Sequence, residues 1–86
     1  MKNHTKVYFK HFNYGIDDII PCEICGNKSV DIHHIYGRGK GKDTIGNLMA
    51  LCREHHNRAH GSLPYISKKD FQSIHDKYIK NHGYRL

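Results

Sequence analysis

The sequence predicts a small α+β fold in which two short strands precede a helix rich in metal-binding side chains, and a further helix follows. Two β-rich runs, residues 30–35 (VDIHHI) and 48–51 (LMAL), flank a glycine-rich loop and predict the strands. Cysteine and histidine residues recur three or four apart over 52–60, the spacing that places side chains on one helix face. We expect a single domain over residues 1–86, with its motif core at about 20–61.

The composition limits the core that this chain can build. It is 37% hydrophobic and has no tryptophan, and chains of 86 residues often need a metal or a disulfide to stay folded. Three cysteines in C-x-x-C and C-x-x-H spacing favour zinc over a secreted disulfide framework. That chemistry predicts a reducing compartment, and we expect a cytoplasmic location. Met1 to Lys10 carry no apolar signal region, and no run of eighteen apolar residues predicts a membrane span.

The charge balance predicts a polyanionic partner. Fourteen Lys and Arg against eight Asp and Glu leave a net charge of +6, which favours nucleic acid, although solubility alone is the simpler alternative. The basic residues that lie among the metal-ligand candidates are expected to contact phosphates, with a solvated basic face as the alternative for each. They are Arg38, Lys40, Lys42, Arg53 and Arg58.

The segments around the two predicted strands have distinct patterns. Alternation over Thr5 to Phe12 predicts a short strand or an extended arm. Gly26-Asn27 supplies the positive φ angles that a tight turn beside a metal needs. Residues 37–46 contain four glycines and predict a mobile loop. Because Lys42 is followed by Asp43 rather than Ser or Thr, this loop is not a nucleotide-binding phosphate loop.

The helix expected from about Cys52 to His60 carries ligands for two different sites. A helix turns about 100° per residue, so Cys52 pairs with His55 and His56 pairs with His60. The other division, Cys52 with His56, leaves His55 and His60 about 140° apart. Gly61 is expected to end this helix.

Four of the ligands predict a closed tetrahedral zinc site, which adds stability and does no chemistry. They are Cys22, Cys25, Cys52 and His55. Ordinary buried cysteines at accidental spacing are the alternative. The remaining ligands, His33, His56 and His60, predict an open site that keeps a position for water or substrate.

A C-terminal packing helix is predicted at about 67–82. Ser67 is the expected N-cap, with Asp70 at the capping-box position, and Gly83 is expected to end the helix. Phe71, Ile74 and Tyr78 recur at helical spacing as its apolar face. Four histidines lie outside every useful spacing and are expected at the surface: His4, His11, His75 and His82.

The order strand, loop, strand, helix resembles the HNH nuclease family, whose fold is a ββα-metal finger. The residues that carry the resemblance, over roughly 20–61, are Asp31-Ile32-His33-His34-Ile35, then Asn47-Leu48, then His56-x-x-x-His60. The chain is most similar to the zinc-stapled HNH proteins of bacteria and phages.

The resemblance implies a metal-dependent endonuclease that nicks or cuts DNA, most simply double-stranded DNA. It assigns His34 as general base, and Asn47 either orients His34 or approaches the metal. His33, His56 and His60 would hold one divalent ion (Mg²⁺, Mn²⁺, Ni²⁺ or Zn²⁺), beside the structural Zn²⁺.

The sequence leaves alternatives open for the roles of the His33–His34 pair and of Asp31, and for the function. Adjacent strand residues point to opposite faces, so His33 and His34 share one site only if the strand twists or ends there, and an exchange of their roles is the alternative. Asp31 orients a ligand histidine, caps a turn or faces solvent. A non-catalytic, zinc-stapled nucleic-acid-binding module and a structural double-zinc protein are the other functional readings. The pair His34 and Asn47 favours the enzyme, because a binding module has no need of an oriented imidazole.

Overall fold

A computed structural model of the protein describes residues 1–82 and has the α+β fold that the sequence predicts. The elements are helix α1 Asn3–Phe12, strand β1 Asp31–His34, a 3-10 turn Ile45–Asn47, strand β2 Leu48–Leu51, helix α2 Arg53–Ala59 and helix α3 Lys68–His82. Within 1–82, no helix has the length and apolar character needed to cross a membrane.

The two strands form an antiparallel pair, and strand β2 is buried on both of its faces. Asp31 pairs with Leu51 and His34 with Leu48. Side chains along β2 alternate between two cores. Leu48 and Ala50 pack in the α1 core, while Met49 and Leu51 pack in the core that contains Phe71 of α3. This double burial fixes β2, and β2 in turn holds β1, the strand that carries His33 and His34.

The N-terminal segment is a helix, so the prediction of a strand or extended arm over Thr5 to Phe12 is wrong. His4, Tyr8 and Phe12 lie four residues apart and form the buried face of α1. Helical spacing was therefore present, but the apolar run Val7, Tyr8 and Phe9 obscured it. The helix ends at Asn13 in the left-handed conformation (φ 60°, ψ 41°), a usual C-terminal signal.

The other two helices lie close to their predicted positions. Cys52 is the N-cap of α2 rather than its first residue. At the other end of the helix, Gly61 follows the C-cap His60 and has a positive φ of 109°, as expected of a residue that ends a helix. In α3 the Ser67 hydroxyl accepts a hydrogen bond from the Asp70 backbone N–H at 3.1 Å, which confirms the predicted cap. The predicted end at Gly83 lies outside the described residues.

His75 is fully buried in a charged network, so its predicted surface position is wrong. Its Nδ1 lies 2.6 Å from Glu23 Oε1, and its Nε2 lies 2.6 Å from the Ile45 carbonyl oxygen. Glu23 also accepts a 2.6 Å bond from the Tyr8 hydroxyl and one from the Ala50 N–H. Because both neighbours of the His75 ring are acceptors, both ring nitrogens donate and the ring is an imidazolium. This network joins α1, β2 and α3 to the segment between Cys22 and Cys25.

We expect His75→Leu to lower the free energy of unfolding by about 3–5 kcal/mol, because the change leaves the Glu23 carboxylate buried without its cation. Urea unfolding of the zinc-loaded protein measures the loss. The exposed His11→Gln on α1 is the control and should stay within about 0.5 kcal/mol of the parent. Adding Glu23→Gln to His75→Leu should restore part of the loss, and strictly additive effects would contradict a coupled pair.

The difference in free energy of unfolding between the parent and His75→Leu should decrease as the pH rises. Burial alone would lower the pKa of His75, but the hydrogen bond to Glu23 and the carboxylate charge outweigh it and raise that pKa above 6.5. A raised folded-state pKa stabilises the protein fully below pH 6.5, and this contribution is lost as the pH rises through the folded value. The gap between parent and His75→Leu should therefore narrow at alkaline pH.

Candidate metal centres and active-site cleft

The predicted zinc ligands meet in one cluster whose distances fit a tetrahedral ion. Cys52 Sγ and Cys22 Sγ lie 3.2 and 3.8 Å from His55 Nδ1, and Cys25 Sγ lies 3.7 Å from Cys52 Sγ. Zinc bonded tetrahedrally to sulfur and nitrogen gives edges of about 3.8 Å between sulfurs and about 3.6 Å between sulfur and nitrogen. The donor set and the spacing therefore fit structural zinc, and the cluster can hold it.

Local backbone geometry brings these ligands together from two places in the chain. The Gly26 N–H donates to the Cys22 carbonyl, and Gly26 has φ 79°, so the chain folds tightly around Cys22 and Cys25. Cys52 and His55 come from the cap and first turn of α2. Three of the four ligands are buried, and only Cys25 reaches the surface. Such a site closes off its ion from solvent on most sides.

A second cluster, formed by His33, His56 and His60, lies between β1 and α2. Its ligand nitrogens lie within 4.8 Å of one another, and the Nε2 atoms of His56 and His60 are 3.2 Å apart. A shared tetrahedral ion would separate two such nitrogens by about 3.3 Å. His56 and His60 come from one face of α2 and its C-cap, as the helical spacing predicts. This cluster therefore fits an open three-histidine site.

Asp31 orients one ligand of this cluster. Its Oδ2 accepts a bond from His56 Nδ1 at 3.1 Å, so the lone pair of neutral His56 is on Nε2, the atom beside His60. The structure thus supports the first of the roles that the sequence left for Asp31. A carboxylate that fixes a ligand imidazole in this way is common behind metal sites.

Two of the three histidines have depressed pKa values. Burial, then the charges of His56 and His60, lowers the pKa of His33 to about 4. Burial also lowers the pKa of His56 below 6.5, although the neighbouring Asp31 charge opposes the shift. Both rings are therefore neutral at pH 7 and can offer a lone pair to a cation.

His34 lies on the other side of β1, against α1 and the glycine-rich loop. Its Nε2 donates to Asp43 Oδ1 at 2.8 Å, and its ring centroid is 4.6 Å from that of His4. Its Nδ1 is buried and has no hydrogen-bond partner among the described residues. The same Asp43 carboxylate accepts a bond from Asn3 through Oδ2 at 3.0 Å. His4 is buried in this group, so its predicted surface position is wrong, whereas His11 and His82 are exposed as predicted.

Asn47 supports His34 through the loop rather than by touching it. The Asn47 Oδ1 accepts a bond from the Tyr36 N–H at 2.8 Å, and its Nδ2 donates to the carbonyls of Gly37 and Lys42 at 3.3 and 3.0 Å. The side chain therefore ties the start of the loop, at Gly37, to Lys42 in its middle. Lys42 immediately precedes Asp43, the residue that holds His34. The direct bond from Asn47 to His34 that the resemblance implied is replaced by this indirect link.

One cleft of about 630 Å³ connects the two sides of β1. Its walls include His33, His56 and His60 on one side and His34 on the other. Strand alternation separates the side chains of His33 and His34, but both residues line this cleft. The arrangement can place a bound group between a cation and an oriented imidazole.

The predicted phosphate-binding residues are not all at this cleft. Arg38 lines it, together with Lys2 of the N-terminal segment, which sequence reasoning missed. Arg58 is paired with Glu54 at 2.7 Å. The lining residues do not include Lys40, Lys42, Arg53 or Arg58.

Two of three comparisons relate the chain to known proteins. A family model described as "Putative HNHc nuclease" matches residues 9–84. The uncharacterized protein YdfU of Escherichia coli K12 is 36% identical over 67% of this chain, and the alignment spans only 16% of that relative's length. No solved structure matches the chain.

Proposed function

This chain belongs to the HNH nuclease family, and on that premise we propose that it is a metal-dependent endonuclease that hydrolyses phosphodiester bonds in double-stranded DNA. Membership implies a nucleic-acid substrate. The observation that carries the proposal is the cleft in which the cluster of His33, His56 and His60 faces the same space as His34. One such three-histidine cluster within residues 1–82 favours nicking of one strand in each event.

We assign the divalent ion to His33, His56 and His60. A cation bound there supplies positive charge for the scissile phosphate and the departing 3′ oxygen. The protein's own contribution is to present neutral imidazoles at pH 7, since burial lowers the pKa of both His33 and His56. Asp31 keeps the lone pair of His56 directed at the site.

His34 is the proposed general base. Asp43 accepts the proton on Nε2, so Nδ1 carries the lone pair of the neutral ring; this nitrogen is buried and acts as base only when a water reaches it from the cleft that His34 lines. Asn47 keeps the loop in place and with it Asp43. His34 thus depends on two residues for its tautomer and its direction, which suits a base that must act in one orientation.

Positive charge around the cleft supports DNA as the substrate. Arg38 lines the cleft and is proposed to contact a phosphate beside the scissile bond, as are Lys40, Lys42, Arg53 and Arg58 outside it. The net charge of +6 favours the same partner. Three free cysteines, of which two are buried in the zinc cluster, suit a reducing compartment, and we propose the cytoplasm.

We expect the zinc-loaded protein to convert supercoiled plasmid to nicked circles when Mg²⁺, Mn²⁺ or Ni²⁺ is added, and to leave the plasmid uncut when no further ion is added. Agarose gels follow the three plasmid forms over time. His56→Ala with His60→Ala should abolish conversion because two cation ligands are lost. DNA binding without cleavage under every cation would instead identify a zinc-stapled binding module.

A further inference from the structure

We infer that His4, His34 and Asp43 form a third cation site, selective for zinc-like ions, and that its occupation switches off the general base. The three ligand atoms lie within 4.8 Å of one another, a bound that the two other clusters also meet. They come from three separate segments: α1, β1 and the glycine-rich loop. The inhibitory effect depends on the proposed function, but the binding site itself does not.

The donor set indicates which ion this site takes. Two imidazoles and one carboxylate are ligands that zinc and other late divalent metals accept, whereas Mg²⁺ prefers oxygen and keeps its water. His34 Nε2 and Asp43 Oδ1 are already 2.8 Å apart, so small movements bring both within bonding distance of one ion. The site therefore discriminates against Mg²⁺ and accepts Zn²⁺ or Co²⁺.

The surroundings preorganise these ligands. Asn3 donates to Asp43 Oδ2 at 3.0 Å, which leaves Oδ1 directed at His34. Asn47 fixes the backbone of the preceding Lys42. The His4 ring is buried and packs 4.6 Å from the His34 ring at 60°. Little conformational freedom remains to be lost when an ion binds.

Inhibition follows from the tautomer of His34. With Asp43 as acceptor, the neutral ring carries its proton on Nε2 and its lone pair on Nδ1. An ion bound at Nε2 uses the lone pair of that nitrogen, so the neutral ring that binds it is the tautomer with its single proton on Nδ1. The ring then has no free lone pair for the proton of an attacking water. The bond between Asp43 and Nε2–H is lost in the same step.

Binding at the third site is tested by titrating zinc into protein whose cysteine site already holds zinc. The parent should bind two further equivalents, one at His33/His56/His60 and one at the third site. His4→Phe keeps a ring in the buried position and should bind only one, while the exposed His11→Phe on the same helix should bind two. Calorimetry and Co²⁺ absorption, in a range free of thiolate bands, give the count. Equal counts for the parent and His4→Phe would overturn the inference.

Asp43→Asn is the second variant, because it keeps the shape of the side chain. Asp43 is a direct ligand of the third site, so this variant should lower the zinc affinity of that site at least as much as loss of a residue that only hydrogen-bonds to a ligand, about 10–100-fold.

The inhibition is tested in plasmid cleavage with Mg²⁺. Added Zn²⁺ should inhibit the parent more strongly than His4→Phe, each compared with its own zinc-free rate. Equal inhibition of both would refute the switch. A parent that binds the third ion but never cleaves DNA would refute the proposed function and leave the site standing.

Discussion

Cys22→Ser is expected to unfold the domain. Cys22 is 2% exposed and packs in the same core cluster as Met49, Leu51 and Phe71. A structural zinc site in a small domain supplies about 10–16 kcal/mol of apparent binding free energy. Whole domains are stable by only about 5–15 kcal/mol. Loss of a thiolate ligand therefore removes an amount comparable to the entire stability of this chain.

The position of Glu23 is a second reason to expect that Cys22→Ser unfolds the domain. This residue follows Cys22 directly, and its carboxylate bonds to His75 of α3 and Tyr8 of α1. Once the turn at Cys22 loses its ion, the carboxylate that joins these helices loses its fixed position. We therefore expect one cooperative transition rather than local loss of the turn.

Circular dichroism and zinc analysis of the purified variant measure this effect. Asn27→Ala is the matched control: it changes an exposed side chain in the same turn and leaves the backbone bond from the Cys22 N–H to the Asn27 carbonyl in place. That variant should retain one zinc and the parent's melting curve. A folded Cys22→Ser protein without zinc would show that the core alone holds the domain together.

His34→Ala is expected to lower the cleavage rate by about 10²–10⁴-fold, the usual contribution of a positioned general base. The zinc in the cysteine site and the DNA affinity should stay near those of the parent, because His34 is not a ligand of the cysteine site or of the His33 cluster. Rates on supercoiled plasmid at saturating Mg²⁺ provide the comparison. His11→Ala, an exposed histidine on α1, is the control and should cleave at the parent's rate.

The same variant decides whether His33 and His34 have exchanged roles. If the assignment is right, the imidazole NMR signals of His56 and His60 still respond to added cation in His34→Ala and lose that response in His33→Ala. His33 lies 5.0 and 5.6 Å from those two rings, centroid to centroid, which supports this order. The opposite pattern would transfer the role of base to His33.

Asp43 and His4 show why part of the site escaped prediction. Asp43 lies in a loop without a regular repeat, and no spacing rule relates it to His34. His4 lies 30 positions from His34 and reaches it only because α1 packs against β1. A signal did exist in the spacing of His4, Tyr8 and Phe12, which predicts one face of a helix.

Short-range periodicity sufficed for both strands, for helices α2 and α3, and for the residues of two of the three candidate metal clusters. The helical turn of 100° divided the four ligands at 52, 55, 56 and 60 between two sites, and strand alternation placed His33 and His34 on different sides of β1. Both rules act between residues that are close in the chain, so no tertiary information was needed.

Tertiary packing alone decided which polar groups are buried together. Glu23 and His75 are separated by 52 positions, and neither carries a pattern that points to the other. Packing likewise selected Asp43, rather than Asn47, as the direct partner of His34. The physical reason is desolvation: a buried charge or ring nitrogen must find a partner in the folded chain, and which partner is within reach depends on how distant segments pack.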